Sequence, residues 1–254
     1  MPKPKVGIFS LTCCEGCQLE ILNCEDELLD ILGAIDLVSF GMAQSNNLDI
    51  DLDIAFVEGT VVQRSEVAIL KKIRDRSKLL VAIGACATNG GVAAIDYDKD
   101  REELKRIVYG EAGDFIPSIT PAALHEHVKV DFALQGCPIE KHQFINAIGY
   151  LLHGDLPLLP EYPVCTECKR KENECVLVQH NIPCMGPITS AGCDARCPSH
   201  YLGCDGCFGP VDEANVAMEY SIMKEKGMAD DEISRMMQVF AAKSPIIKGQ
   251  FKGD

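Results

Sequence analysis

Residues 6–17 read V-G-I-F-S-L-T-C-C-E-G-C. The short apolar run Val6 to Leu11 predicts a buried strand, and Cys13 to Cys17 predicts the loop beyond its carboxyl end. Two later stretches have the same order. Lys78 to Gly84 (K-L-L-V-A-I-G) predicts a strand running into A-C-A-T-N-G-G at 85–91, and Val130 to Leu134 predicts one running into Q-G-C-P at 135–138. Further strands are expected at Leu37–Phe40 and Asp53–Glu58. Helical spacing marks Gln18–Leu32, closed by Gly33, then Ser65–Arg76 and Glu140–Leu152. A less regular segment, 92 to 124, carries a helix near Arg101 to Val108. Strands alternating with helices predict an α/β fold built on a doubly wound parallel sheet. Five strands suit the flavodoxin-like order 2-1-3-4-5.

In such sheets ligands bind beyond the carboxyl ends of the strands. Cys14 and Cys17 follow the first strand, Cys86 the fourth and Cys137 the fifth, so the fold brings four distant cysteines to one edge. Gly16, Gly84 and Gly136 beside them let the backbone approach a bulky inorganic group. Four buried free cysteines are the plain alternative, but these four stand on loops rather than inside strands.

Leu156 to Pro163 is a proline-rich connector, which sets expected domains at 1–154 and 155–254. The second contains C-T-E-C-K-R-K-E-N-E-C from 165, C-M-G-P-I-T-S-A-G-C from 184, and D-A-R-C-P-S-H-Y-L-G-C-D-G-C from 194. Cys165, Cys168, Cys175, Cys184, Cys193, Cys197, Cys204 and Cys207 fall within 43 residues that cannot bury much apolar surface unaided. Disulfides, zinc or iron–sulfur clusters must tie this block down. A helix follows from Asp212, as N-cap, to Lys226, closed by Gly227; a second starts near Asp230 or Asp231. The polar tail after Lys243 is expected to be a surface arm.

The chain of 254 residues is 47% hydrophobic and 24% charged, with a formal net charge of −14. Such an acidic excess argues against nucleic acid and anionic membranes as partners. No run of eighteen apolar residues predicts a membrane span, and Met-Pro-Lys-Pro-Lys leads straight into the first strand rather than into an export signal. The expected compartment is therefore the reducing cytoplasm, where structural disulfides do not persist. Fourteen cysteines then read as metal ligands. Zinc suits the C-x2-C pairs at 165/168 and 204/207. Cysteines closely followed by proline (Cys137-Pro138, Cys197-Pro198, Cys184-Met185-Gly186-Pro187), and a ligand set drawn from three strand ends, favour iron–sulfur clusters. Setting Cys13 and Cys24 aside leaves three sets of four.

Taken together, C-E-G-C-Q-L at 14–19, V-E-G at 57–59, G-A-C-A-x-x-G-G at 84–91, G-C-P at 136–138 and the eight-cysteine pattern resemble the small, electron-transferring subunits of nickel–iron hydrogenases. The resemblance spans nearly the whole chain and is nearest to the cytoplasmic, NADP-linked sulfhydrogenase type, whose corresponding chain is the delta subunit. It implies three [4Fe–4S] clusters: a proximal one on Cys14, Cys17, Cys86 and Cys137, a medial one on Cys184, Cys197, Cys204 and Cys207, and a distal one on Cys165, Cys168, Cys175 and Cys193. Cys13, adjacent to Cys14, is an alternative proximal ligand. The implied partners are a nickel–iron large subunit, which carries the H2 chemistry, and flavin- and iron–sulfur-containing diaphorase-like subunits that reduce NAD(P)+ or polysulfide. A heterodisulfide-reductase complex is the alternative acceptor, and a zinc-stabilised interaction module the alternative of another class. Glu15 and Glu58 are candidates for proton transfer, docking or plain capping. His200 is the histidine placed to tune a cluster, and Lys169, Arg170 and Lys171 would either guide an acidic partner or simply be solvated.

Overall fold

The computed structural model describes residues 3–248. Seven strands are present among them: β1 (Lys5–Ser10), β2 (Asp36–Phe40), β3 (Leu52–Glu58), β4 (Val61–Gln63), β5 (Ser77–Ile83), β6 (Ser118–Ala122) and β7 (Phe132–Leu134). Five form one sheet in the order β2-β1-β3-β5-β7, every pair parallel. Counted along the chain, that is the expected 2-1-3-4-5 order. The order reverses beside β1, so the loops after β1 and β3 open a crevice at the carboxyl edge.

Both faces of the sheet are covered, and its strands are accordingly apolar throughout rather than alternating with polar residues. Ile54, Phe56, Val81 and Ile83 pack into one cluster with Ile21, Phe144 and Leu151 from the helices Gly16–Leu22 and Lys141–Leu152. Their neighbours Ala55, Val57, Leu80 and Ala82 face the other way, against Leu70 and Ile73 of the helix Arg64–Asp75. A third apolar cluster is drawn from residues 164 to 247 alone.

Several local expectations are revised. The predicted helix at 18–32 is two helices, Gly16–Leu22 and Glu25–Ala34, parted at Asn23 and Cys24; the second runs through Gly33. The segment 92–124 contains, besides the helix Arg101–Tyr109, the strand β6, which pairs antiparallel with β4. The first C-terminal helix starts at Val216, not near Asp212. Its cap is Asn215, whose side chain accepts from the Met218 N–H. The stretch beginning at Lys243 is no surface arm as far as Lys248. Lys243, Ser244 and Ile247 are buried, and the Lys243 N–H donates to the Asn89 carbonyl at 3.0 Å. The Lys243 Nζ stands 4.5 Å from the Tyr97 ring centroid, and Lys248 Nζ pairs with Glu126 at 3.1 Å. This clip ties the C-terminal part to the sheet. Residues 249–254 of the expected arm lie outside the described residues.

Candidate metal centres

The three strand ends do converge. Gly84 closes β5 with φ +81°, and a Cβ there would collide with the Cys17 sulfur. The Ala85 N–H donates to the Gly136 carbonyl at 2.7 Å, joining the Cys86 loop to the Cys137 loop. Cys86 feels the charges of Cys137 and Cys14, Cys137 that of Cys14, and Cys17 that of Cys86. Cys14, Cys17, Cys86 and Cys137 thus form one neighbourhood, with Cys14 and Cys137 exposed and Cys17 buried. Burial drives the Cys17 thiol well up and, with the neighbouring cysteines, the Cys86 thiol to about 11. Cys13 also feels Cys86, but its thiol donates to the Leu11 carbonyl, and burial pushes it to about 12.

Beneath this edge lies Glu58, 2% exposed at the end of β3. Its carboxylate accepts from the Cys17 N–H at 3.2 Å, the Gln18 N–H at 3.3 Å and the Gln18 side-chain amide at 3.2 Å. It therefore satisfies the first free N–H groups of the helix Gly16–Leu22 and anchors the backbone of a candidate ligand. Of the roles open to Glu58 from sequence, capping is the one the geometry displays. Glu15 is exposed and accepts from the Ser10 hydroxyl.

The other eight cysteines fall into two groups. Cys193, Cys197, Cys204 and Cys207 line a cavity of about 130 Å³, which Cys137 also borders. The Cys207 thiol senses Cys193, Cys197 and Cys137, and it accepts a hydrogen bond from the Cys137 backbone N–H. Cys165 and Cys168 stand one turn apart on the helix Val164–Arg170. Cys165 senses Cys184, Cys168 and Cys175. A Cβ placed on Gly186 would lie 3.3 Å from the Cys184 sulfur and 3.5 Å from that of Cys165, a tight fit between the two. Cys184 thus lies beside Cys165 and Cys204, and Cys193 lines the cavity while also bearing on Cys168. Cys184 and Cys165 both stand against Gly186. Glu167, on the Cys165 helix, holds the 192–195 loop by accepting from the N–H groups of Gly192 at 2.8 Å and Ala195 at 2.9 Å. Cys193 stands at the seam, within electrostatic reach of Cys168 also, but it is the cavity that it lines.

Several thiols accept backbone N–H groups: Cys184 from Cys204 at 3.3 Å, Cys204 from Gly206 at 3.4 Å, and Cys193 from Ala195 and Arg196. Such bonds favour the thiolate, the form that binds metal. Among the described residues no three His, Cys, Asp or Glu side chains converge on a single-ion site. An all-thiolate donor set, spread around a cavity and supplied with N–H donors, fits an iron–sulfur cluster better than a zinc ion, which draws its ligands to about 2.3 Å.

Residues 14–151 match the family described as NADH ubiquinone oxidoreductase, 20 kDa subunit. The chain belongs to this family. It is 40% identical to sulfhydrogenase 2 subunit delta of Pyrococcus furiosus over 93% of its own length and 99% of that protein. It is 33% identical to a subunit of the vhu F420-non-reducing hydrogenase of Methanocaldococcus jannaschii, with 83% of each covered. Among solved structures, a chain of an NAD+-reducing [NiFe]-hydrogenase in the H2-reduced state superposes with a TM-score of 0.55 at 28% identity, over 62% of this chain and 96% of that one. The protein is thus a hydrogenase subunit of the oxidoreductase class, homologous to sulfhydrogenase delta chains, as its motifs suggested.

Within this family member, Glu167 is the residue that motif reading did not assign. Glu167 stands inside C-T-E-C, so its place between two cysteines was visible, but its partners lie 25 and 28 residues away. The basic run is not a free patch. Arg170 stacks on Tyr162 at 4.9 Å and donates to its hydroxyl, and Lys171 pairs with Asp194 at 2.6 Å. His200 is exposed. No helix of the described residues is long and apolar enough to cross a membrane.

Proposed function

We propose that this chain relays single electrons through three [4Fe–4S] clusters in a cytoplasmic nickel–iron hydrogenase. The proximal cluster is held by Cys14, Cys17, Cys86 and Cys137, the medial by Cys193, Cys197, Cys204 and Cys207, and the distal by Cys165, Cys168, Cys175 and Cys184. The observation that supports this reading is the gathering of four cysteines at the sheet edge and of four more around one cavity, with Cys137 bordering both. When bound, such a cluster supplies one reversible electron per step, at a potential set by burial, net charge and hydrogen bonds to its sulfurs.

The protein's own residues supply the rest. The thiolates hold the irons. The N–H groups of Cys204, Gly206, Ala195 and Arg196 offset thiolate charge. Gly84 leaves room where a side chain would displace the Cys17 sulfur. The exposed face at Cys14 and Cys137, with Leu19 half exposed beside it, is the docking side for the nickel–iron large subunit, on which H2 is handled. Exposed Cys175 marks the opposite outlet, toward a diaphorase-like flavin and iron–sulfur partner that reduces NAD(P)+ or polysulfide. The proline-rich connector at 155–163 divides the sheet domain from the cluster domain.

Anaerobic metal analysis tests this. About twelve irons and twelve sulfides per chain are expected, four of each per cluster. Stoichiometric zinc without sulfide would overturn the reading.

A further inference from the structure

On the helix Val216–Glu225 the inward residues are Val216, Glu219 and Met223, spaced three and four apart. Val216 and Met223 belong to the apolar cluster that also holds Val164, Val176 and Cys184. Glu219 thus occupies a position where helical periodicity calls for an apolar side chain, and it is 1% exposed. Its Oε1 has no hydrogen-bond partner. Its charge bears on two thiols, Cys165 and Cys184, and weighs on Cys184 more than Cys175 does. Burial alone pushes its carboxyl up to about 7.

An ionised carboxylate there would be unpaired, desolvated and set beside thiolates, a combination that costs several kcal/mol. The neutral acid removes that cost but carries an O–H that needs an acceptor. Apolar neighbours offer none, whereas the sulfurs of a bound cluster do. Hydrogen bonds to cluster sulfur stabilise the more negative, reduced state. We infer that Glu219 is a positioning residue that donates its carboxyl O–H to a sulfur of the cluster held by Cys165, Cys168, Cys175 and Cys184, raising that cluster's reduction potential. This rests on the ligand grouping proposed above. It sets the distal cluster as a deeper electron sink than its thiolates alone would make it, which favours delivery toward the outlet.

The test is an EPR-monitored redox titration of the anaerobically purified native complex, wild type against Glu219→Met and Glu219→Gln. Both substitutions keep the side-chain length; Met removes the donor and Gln keeps one. In Glu219→Met the distal reduction equilibrium should shift at least tenfold toward the oxidised form, about 59 mV for one electron. In Glu219→Gln it should stay within twofold of wild type, with the spectrum intact. An unchanged potential in Glu219→Met overturns the inference and assigns Glu219 to packing. A raised potential in either variant also overturns it, because that marks the loss of an ionised carboxylate. Should Glu219→Met fail to load its cluster, Glu219→Leu replaces it as the donor-free variant: a shift of at least tenfold toward the oxidised form supports the donor, and an unchanged or raised potential refutes it. A wild-type complex without any cluster signal would fail at the earlier step and take both readings down together.

Discussion

Glu58→Ala is the substitution whose cost can be worked most directly from the geometry. It removes both carboxylate oxygens and leaves three donors, the N–H groups of Cys17 and Gln18 and the Gln18 side-chain amide, facing a buried space. Each orphaned buried donor costs about 1–3 kcal/mol. Water entering the vacated volume recovers part of that, since a site with several polar partners can hold one. A net loss of about 2–4 kcal/mol remains, felt first where the helix Gly16–Leu22 leaves the sheet. At about 1.4 kcal/mol per tenfold, the segment carrying Cys14 and Cys17 opens about 30- to 1,000-fold more often. The assay is iron release to an excess of chelator, read by absorbance under argon. About four of the twelve irons should leave at least tenfold faster than in the wild type, while the other eight keep their rate. Uniform release from all three clusters, or release at the wild-type rate, would refute the role given to Glu58.

Other expectations can be put to the bench together. Cys86→Ser should abolish H2-dependent dye reduction while about eight irons per chain remain; undiminished dye reduction would remove Cys86 from the path. Cys193→Ser should bleach the cluster shared with Cys197, Cys204 and Cys207 and spare the Cys165 set, and Cys184→Ser should do the reverse, as Mössbauer spectra of each variant would show. Asp131 gives a pH prediction. Burial pushes its carboxyl up, but the Lys129 ammonium, the Leu80 N–H and the Arg74 guanidinium outweigh burial and hold it down at about 2. A depressed pKa stabilises the fold at pH values above the ordinary 3.8 and loses that effect as pH falls toward 2. With water reaching the pair through exposed Lys129, Asp131→Asn should cost about 1–2 kcal/mol at pH 7 in urea unfolding. The gap from wild type should close between about pH 4 and pH 2; a gap that persists at pH 2 would contradict the assignment.

The sheet was legible because its strands are short apolar runs and all but β2 lead on to a helix of the right period, a pattern that survives reading one segment at a time. The gathering of Cys14, Cys17, Cys86 and Cys137 was legible for a related reason: topology alone carries them to one edge. The setting of Cys193 was not, since it depends on Glu167 gripping amides 25 and 28 residues away. Asn215 displaced Asp212 as helix cap because either residue type serves and only the backbone path chooses. The three-residue strand β4 carries too little pattern to announce its partner β6. The burial of Lys243 depends on Tyr97 and Glu126, which no local window contains. Glu219 did leave a trace, an acid on the apolar stripe of its helix, and it is meaningful only once that stripe is seen to face thiols.

Cys137 has one consequence of its own. Its sulfur belongs to the sheet edge, its amide hydrogen is given to Cys207, and its side chain borders the neighbouring cavity. In the proposed relay, a charge arriving at the first cluster would polarise a hydrogen bond that ends on Cys207, a ligand of the second. The two halves of the wire are soldered at a single amino acid. Chain rearrangements that swapped either half for a foreign one would have to rebuild this joint before current could pass.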